Sequence, residues 1–187
     1  MDLELFLADL AGRFDAHRRL EADAVVGELT DAERAGVTLA ARMVAMRGRD
    51  LSVLVRGGER LAGEVVDVAD TWVLLRTPGG DSLVPTGAVV AAWPMGGAVA
   101  GGLGLGDTVG VDHVLREAAD QGLLVVIDHD AGLHQGAVEA VLADHFDLDT
   151  DVAGVGGTVR GPAGGPPTVV SLSLTGIRRI RLLGTLG

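Results

Sequence analysis

The chain has 187 residues, 48% of them hydrophobic, a mean hydropathy of +0.36 and a formal net charge of −11 from 26 acidic and 15 basic residues. That size suits one large or two small domains with a packed core, and the absence of cysteine excludes disulfide staples and thiolate metal sites. The acidity excludes a general affinity for phosphate backbones unless the bases gather on one face.

The start, Met1 to Glu4, is acidic where a secretory signal would be basic, and no apolar run reaches the ~18 residues of a membrane span. A cytoplasmic protein without membrane partners is expected. Leu3, Phe6, Leu7, Leu10 and Phe14 share one face at helical spacing, so residues 1–30 are expected to form an N-terminal helix with an apolar face. A second helix is expected to start at Thr30 and Glu33, a capping-box pair, and to end at Gly48. Its apolar face reads as Val37, Ala40, Ala41 and Val44.

Short β-like runs follow at Leu51–Val55, Leu61–Val68, Thr71–Thr77, Ser82–Val84 and Ala88–Trp93, separated by turn-forming clusters such as Gly57-Gly58-Glu59 and Pro78-Gly79-Gly80-Asp81. Residues 31–94 thus make a helix followed by five strands. Residues 95–106, rich in Gly and free of charge, read as a linker. The run Gly101 to Gly106 lacks the spacing of a dinucleotide fingerprint and the Lys of a phosphate loop.

Residues 107–187 repeat the pattern. Gly36, Val37, Arg42 and Gly48 match Gly110, Val111, Arg116 and Gly122 at an offset of 74. The second helix then presents Val111, Val114, Leu115 and Ala118. At an offset of 73, Leu51, Val53, Gly63, Val65 and Leu75 match Leu124, Val126, Gly136, Val138 and Leu148. Past a Gly/Pro-rich insertion at 151–167, Leu83, Thr86 and Gly87 match Leu172, Thr175 and Gly176 at an offset of 89. This order and spacing read as a duplication. Gly63 and Gly136 interrupt β-like runs, which suits a sharp bend in a small barrel.

A helix and five strands carrying Gly58-Glu59-Arg60-Leu61-Ala62-Gly63-Glu64-Val65, Asp70-Thr71-Trp72-Val73-Leu74-Leu75 and Leu83-Val84-Pro85-Thr86-Gly87 resemble the Sm-like fold of the Sm, LSm and bacterial RNA-chaperone proteins. The whole chain also resembles a group of actinobacterial proteins with two such units, sometimes labelled Fis-family transcriptional regulators. All bases are Arg, and Lys, Asn and Tyr are missing, a bias of GC-rich bacterial genomes. No helix-turn-helix with a basic recognition helix supports the Fis label. The resemblance implies a mainly β fold with N-terminal α structure: tandem Sm-like five-stranded bent β-barrels, each preceded by a helix.

It also implies nucleobase or partner contacts at Trp72, Thr86, His145, Phe146 and Thr175, where aromatic faces would stack on bases. The departures are plain. RNA-binding Sm proteins carry an Asn after the third-strand Asp and an Arg-Gly or Lys-His type pair in the turn before the last strand, whereas this chain has no Asn and reads Thr86-Gly87 and Thr175-Gly176 there. Residues from Arg160 onward hold four Arg and no acid, so Arg178, Arg179 and Arg181 are the candidate basic contacts.

Asp128, His129, Asp130, His134, Asp144, His145 and Asp147 form the densest set of potential metal ligands. The first half lacks them, and they read as a solvated acidic edge; no metal, cofactor, catalytic residue or small-molecule substrate is assigned. The expectation is a non-enzymatic interaction or assembly module with a protein partner or self-association, RNA binding being the alternative. Leu3, Phe6, Leu7, Leu10 and Phe14 are the candidate protein interface, unless that helix braces the barrels.

Overall fold

The computed structural model describes residues 36–95, 97, 109–150 and 169–185. The expected N-terminal helix, the start of the second helix, most of the linker and the 151–167 insertion lie outside the described residues. The described residues from Leu39 onward form one compact unit.

Helix α1 (Leu39–Val44) buries Ala40, Met43 and Val44, so its inner face is turned from the expected one, and Val37 is exposed. Met43 takes the place given to Ala41 because a long, flexible thioether fills more of the core than a methyl group. The helix ends at Val44, four residues before Gly48. Gly48 adopts a φ of 71° and donates its N–H to the Val65 carbonyl at 2.8 Å, so the chain passes beside the next strand's bend rather than continuing the helix.

Five strands follow: β1 (Asp50–Val55), β2 (Arg60–Val68), β3 (Trp72–Thr77), β4 (Gly80–Pro85) and β5 (Val89–Trp93), with a single 3₁₀ turn at Thr86–Ala88. Helix α2 (Val111–Asp120) then buries Leu115 and Ala118, with Val111 and Val114 partly buried on the expected face. Strands β6 (Leu123–His129), β7 (Gly132–Val141), β8 (His145–Asp149), β9 (Val169–Ser173) and β10 (Ile177–Thr185) complete the chain, with a second 3₁₀ turn at Leu174–Gly176.

The fold is mainly β. The ten strands among the described residues lie in a single open antiparallel sheet, ordered β5-β1-β2-β3-β4-β10-β6-β7-β8-β9. Both halves use the same order, last strand beside first. They do not close separately: the outer side of β4 pairs with β10, Leu83 opposite Ile180, so the sheet continues from one half into the other.

Strand β2 serves two neighbours. Arg60–Glu64 pair with β1 and Glu64–Val68 with β3, the register slipping between Val65 and Asp67. Strand β7 does the same between β6 and β8, slipping between Val138 and Ala140. At the bends, a Cβ on Gly63 would overlap the Arg76 carbonyl and one on Gly136 the Asp149 carbonyl. Those paired clashes fix the equivalence of Gly63 with Gly136.

Elsewhere the backbone corrects the expected alignment. Leu51 faces Gly63 while Val125 faces Gly136, so the first strands correspond at 74, not 73. The missing residue lies in the β6–β7 turn. At the end of each half the offset is 88, not 89: Trp72 faces Pro85 as His145 faces Ser173, and Val53 faces Ala92 as Ile127 faces Ile180. Leu172 is therefore the equivalent of Val84, and Gly176 that of Ala88.

Two apolar clusters form the core. One holds Met43, Leu51, Val53, Val65, Leu75 and Val84. The other unites Leu115, Ile127, Phe146, Leu148 and Ile180 with Ala69, Trp72 and Leu83 of the first half, so the second core extends across the junction.

Candidate functional site

Arg178 and Arg179, expected as basic contacts, and Asp128 and Asp130, expected in a solvated acidic edge, meet beside the β4–β10 junction. The second and third residues of β10 are Arg178 and Arg179, whose side chains are only 18% and 17% exposed. Asp128, from the end of β6, accepts from Arg178 Nη2 at 2.5 Å and lies 3.6 Å from Arg179 Nη2. From the first half, Glu59 in the β1–β2 turn lies 3.0 Å from Arg179 Nη1. Arg56, in the same turn, donates to the Thr175 carbonyl at 2.5 Å and stands 3.4 Å from Asp130. Three guanidiniums and three carboxylates thus balance across the junction.

Its electrostatics follow from that packing. Burial alone would raise the Asp128 pKa, but hydrogen bonds from Glu59 and Arg178 and the charges of Arg178 and Arg179 outweigh it and hold the carboxyl below its ordinary value. Glu59 is pushed up, first by its hydrogen bond with Asp128 and then by burial, against the pull of Arg179. Leu74, Leu83, Val114, Ile180 and Leu182, with Asp81, line a mainly apolar groove of about 470 Å³.

No family model, curated protein or solved structure matches the chain. The function has to be read from the arrangement itself.

The remaining candidate residues are dispersed. Trp72 is buried, its Nε1–H donated to the Val109 carbonyl at 2.7 Å, and Phe146 is fully buried, so neither ring presents a face to solvent. Thr86 donates its hydroxyl to the Asp70 carbonyl at 3.0 Å. His145, half-exposed, sits 2.7 Å from the Asp144 carboxylate, which lowers the pKa of Asp144. Thr175 lies at the junction through its carbonyl, and Arg181 is partly buried with its Nε lacking a partner. Leu3, Phe6, Leu7, Leu10 and Phe14 lie outside the described residues.

The His/Asp set does not converge. His134 lies beside His129, not His145, and Asp147 accepts from the Ser171 hydroxyl at 2.6 Å. Among the described residues, no group of three or more His, Asp or Glu is placed to hold a metal ion, and no helix is long and apolar enough to cross a membrane.

Sequence reasoning placed a strand at Ala88–Trp93 and matched Leu172 to Leu83, but assigned no contact residue to either of the two outermost strands. Within the described residues, β5 and β9 each pair on one side only. Strand β5, Val89-Val90-Ala91-Ala92-Trp93, and β9, Val169-Val170-Ser171-Leu172-Ser173, carry no charged residue. Val90 is 63% exposed, Trp93 39% and Val169 43%. Arg60 covers one face of Trp93, its guanidinium carbon 5.0 Å from the ring centroid. The signal was available: an uncharged edge strand without Lys or Pro in its interior is an unprotected one.

Proposed function

We propose that the chain is a non-enzymatic assembly module of the bacterial cytoplasm, built from two duplicated Sm-like units, which joins further copies of itself edge to edge. The observation that carries this reading is the internal β4–β10 pairing. It joins the fourth strand of the first half to the fifth strand of the second. The fifth strand of the first half, β5, and the fourth of the second, β9, are the two strands left at the sheet's edges.

By the repeat equivalence, Ala92 stands where Ile180 does and Ser171 where Leu83 does, so a second copy would set Ala92 against Ser171 in the manner of Ile180 against Leu83. Such a contact is heterologous and head-to-tail, and it propagates into a ring or a filament. The shared strand order and the Gly63 and Gly136 bends support the Sm-like reading of each half.

RNA binding is less well supported. Arg56, Arg178 and Arg179 do converge, but Glu59, Asp128 and Asp130 oppose them within 4 Å, which leaves little positive field for a phosphate chain. Arg76 is likewise held by Glu64 and Asp81.

Sedimentation velocity over a concentration series tests the proposal. Species larger than the monomer, growing with concentration, are expected. A chain that stays monomeric throughout the micromolar range would sink the reading.

A further inference from the structure

The second half carries two histidines in its core where the first half is aliphatic. His129 is 6% exposed and takes the place of Val55; His134 is 5% exposed and takes the place of Leu61. Their rings meet edge to face, 6.1 Å between centroids and 80° between planes.

The hydrogen bonds of His129 define its state. Its Nδ1 accepts from the Ala131 N–H at 3.0 Å, so that nitrogen carries no proton. Its Nε2 lies 3.0 Å from the Ser173 carbonyl and must then donate to it. With these two bonds the ring bolts the β6–β7 turn to the 3₁₀ turn between β9 and β10. Gly176 makes room for it, since a Cβ there would overlap the imidazole. Adding a proton at Nδ1 would set two N–H groups against each other and break the bond to Ala131.

His134 has no bond to break. Both its ring nitrogens are buried without a hydrogen-bond partner. A charge there would be buried and uncompensated, the costliest state for a polar group in a core. Burial first, and the neighbouring His129 second, push its pKa below the ordinary histidine value.

The surrounding charges offer no relief. On β6, Asp128 is engaged by Arg178 and Arg179, and in the turn that follows, Asp130 is engaged by Arg56 and Arg178. Helix α2, packed on β7, carries Asp112, His113, Arg116, Glu117 and Asp120, of which Asp112 and Arg116 pair at 2.6 Å. Strand β7 itself carries Glu139, and β8 carries His145, Asp147 and Asp149. Of all these neighbours, His129 is the one whose charge acts on His134.

We infer that the His129–His134 pair is an acid-sensitive latch: protonation opens the joint between the β6–β7 turn and the Leu174–Gly176 turn, and so loosens the edge strand β9, while the first half stays closed. The sign follows from linkage. In the opened chain His134 binds a proton near the ordinary histidine pKa of ~6.5, whereas its burial in the closed joint lowers that pKa, so closure is favoured above ~6.5 and lost as pH falls below it. The inference holds whether or not β9 pairs with another copy.

The fold supplies an internal control. In the first half the Arg56 N–H bonds to the Ala88 carbonyl at 2.9 Å, and in the second the Asp130 N–H bonds to the Gly176 carbonyl at 2.9 Å. Amide hydrogen exchange of the full chain at pH 7.5 and 5.0, corrected for intrinsic rates, reads both joints together. At pH 5.0, protection at Asp130 and Leu174 is expected to fall at least tenfold relative to Arg56 and Gly58. His134→Leu, which installs the first half's residue, is expected to abolish that loss.

Equal protection ratios at both pH values would overturn the inference, as would an equal loss in His134→Leu. Should that variant fail to fold, histidine-ring NMR titration of the unsubstituted chain decides instead. The ring signals of His129 and His134 must change in the same pH interval as the amides of Asp130 and Leu174; titration without opening, or opening without titration, refutes the latch.

Discussion

Asp128, 6% exposed, answers to two guanidiniums, and its equivalents in the first half are all apolar: Leu54 for Asp128, Val90 for Arg178 and Ala91 for Arg179. The charges therefore exist only where the halves meet, at the one place where β10 must be told from β5 as the partner of β4. Removing one member leaves the others poorly compensated. Asp128→Ala is expected to cost about 2–4 kcal/mol in urea denaturation. Replacing the set by its equivalents, Asp128→Leu with Arg178→Val and Arg179→Ala, is expected to leave stability within about 1 kcal/mol of the parent. Its signature should appear in size-exclusion chromatography, as mispaired or strand-exchanged species that the parent lacks. A triple variant that eluted as the parent does would deny the network a role in partner choice.

At the scale of elements, the turns were legible because their chemistry is local. Gly57 and Gly58 adopt positive φ between β1 and β2, and Gly80 does so at the start of β4. The β2 and β7 bends were legible for the same reason, and they make a sharp expectation. A Cβ at Gly63 or Gly136 meets neighbouring backbone, which cannot swing aside as a side chain can. Gly63→Ala and Gly136→Ala are each expected to lose about 3 kcal/mol or more, measured by thermal and denaturant unfolding. Register was less legible. Leu51 was aligned with Leu124 by identity, yet Val125 is its equivalent, because Val and Leu interchange freely in a core while hydrogen bonds do not. The β4–β10 pairing was not legible at all, since its partners lie about a hundred residues apart and local periodicity carries no such signal. The clue lay in the repeat itself: charges at Asp128, Arg178 and Arg179 against apolar counterparts become visible once the offsets are 74 and 88.

For the whole molecule, the open sheet poses a question of closure. Two uncharged edges, one at β5 and one at β9, are unlike each other, so pairing between them generates chains or rings, whereas pairing of like edges stops at a dimer. The two cases separate by blocking one edge at a time with Lys at exposed positions. Val90→Lys with Ala91→Lys blocks β5 and leaves β9; Val169→Lys with Ser171→Lys blocks β9 and leaves β5. All four positions are exposed, so each variant should fold as the parent does, within about 0.5 kcal/mol per substitution. Alone, each blocked variant is expected to sediment as a monomer. Mixed in equal amounts, they retain one good edge of each kind and should form a one-to-one dimer that grows no further. If β5 pairs with β5, the β9-blocked variant dimerises alone and mixing adds nothing. Head-to-tail pairing therefore requires that neither variant associates alone and that the mixture does.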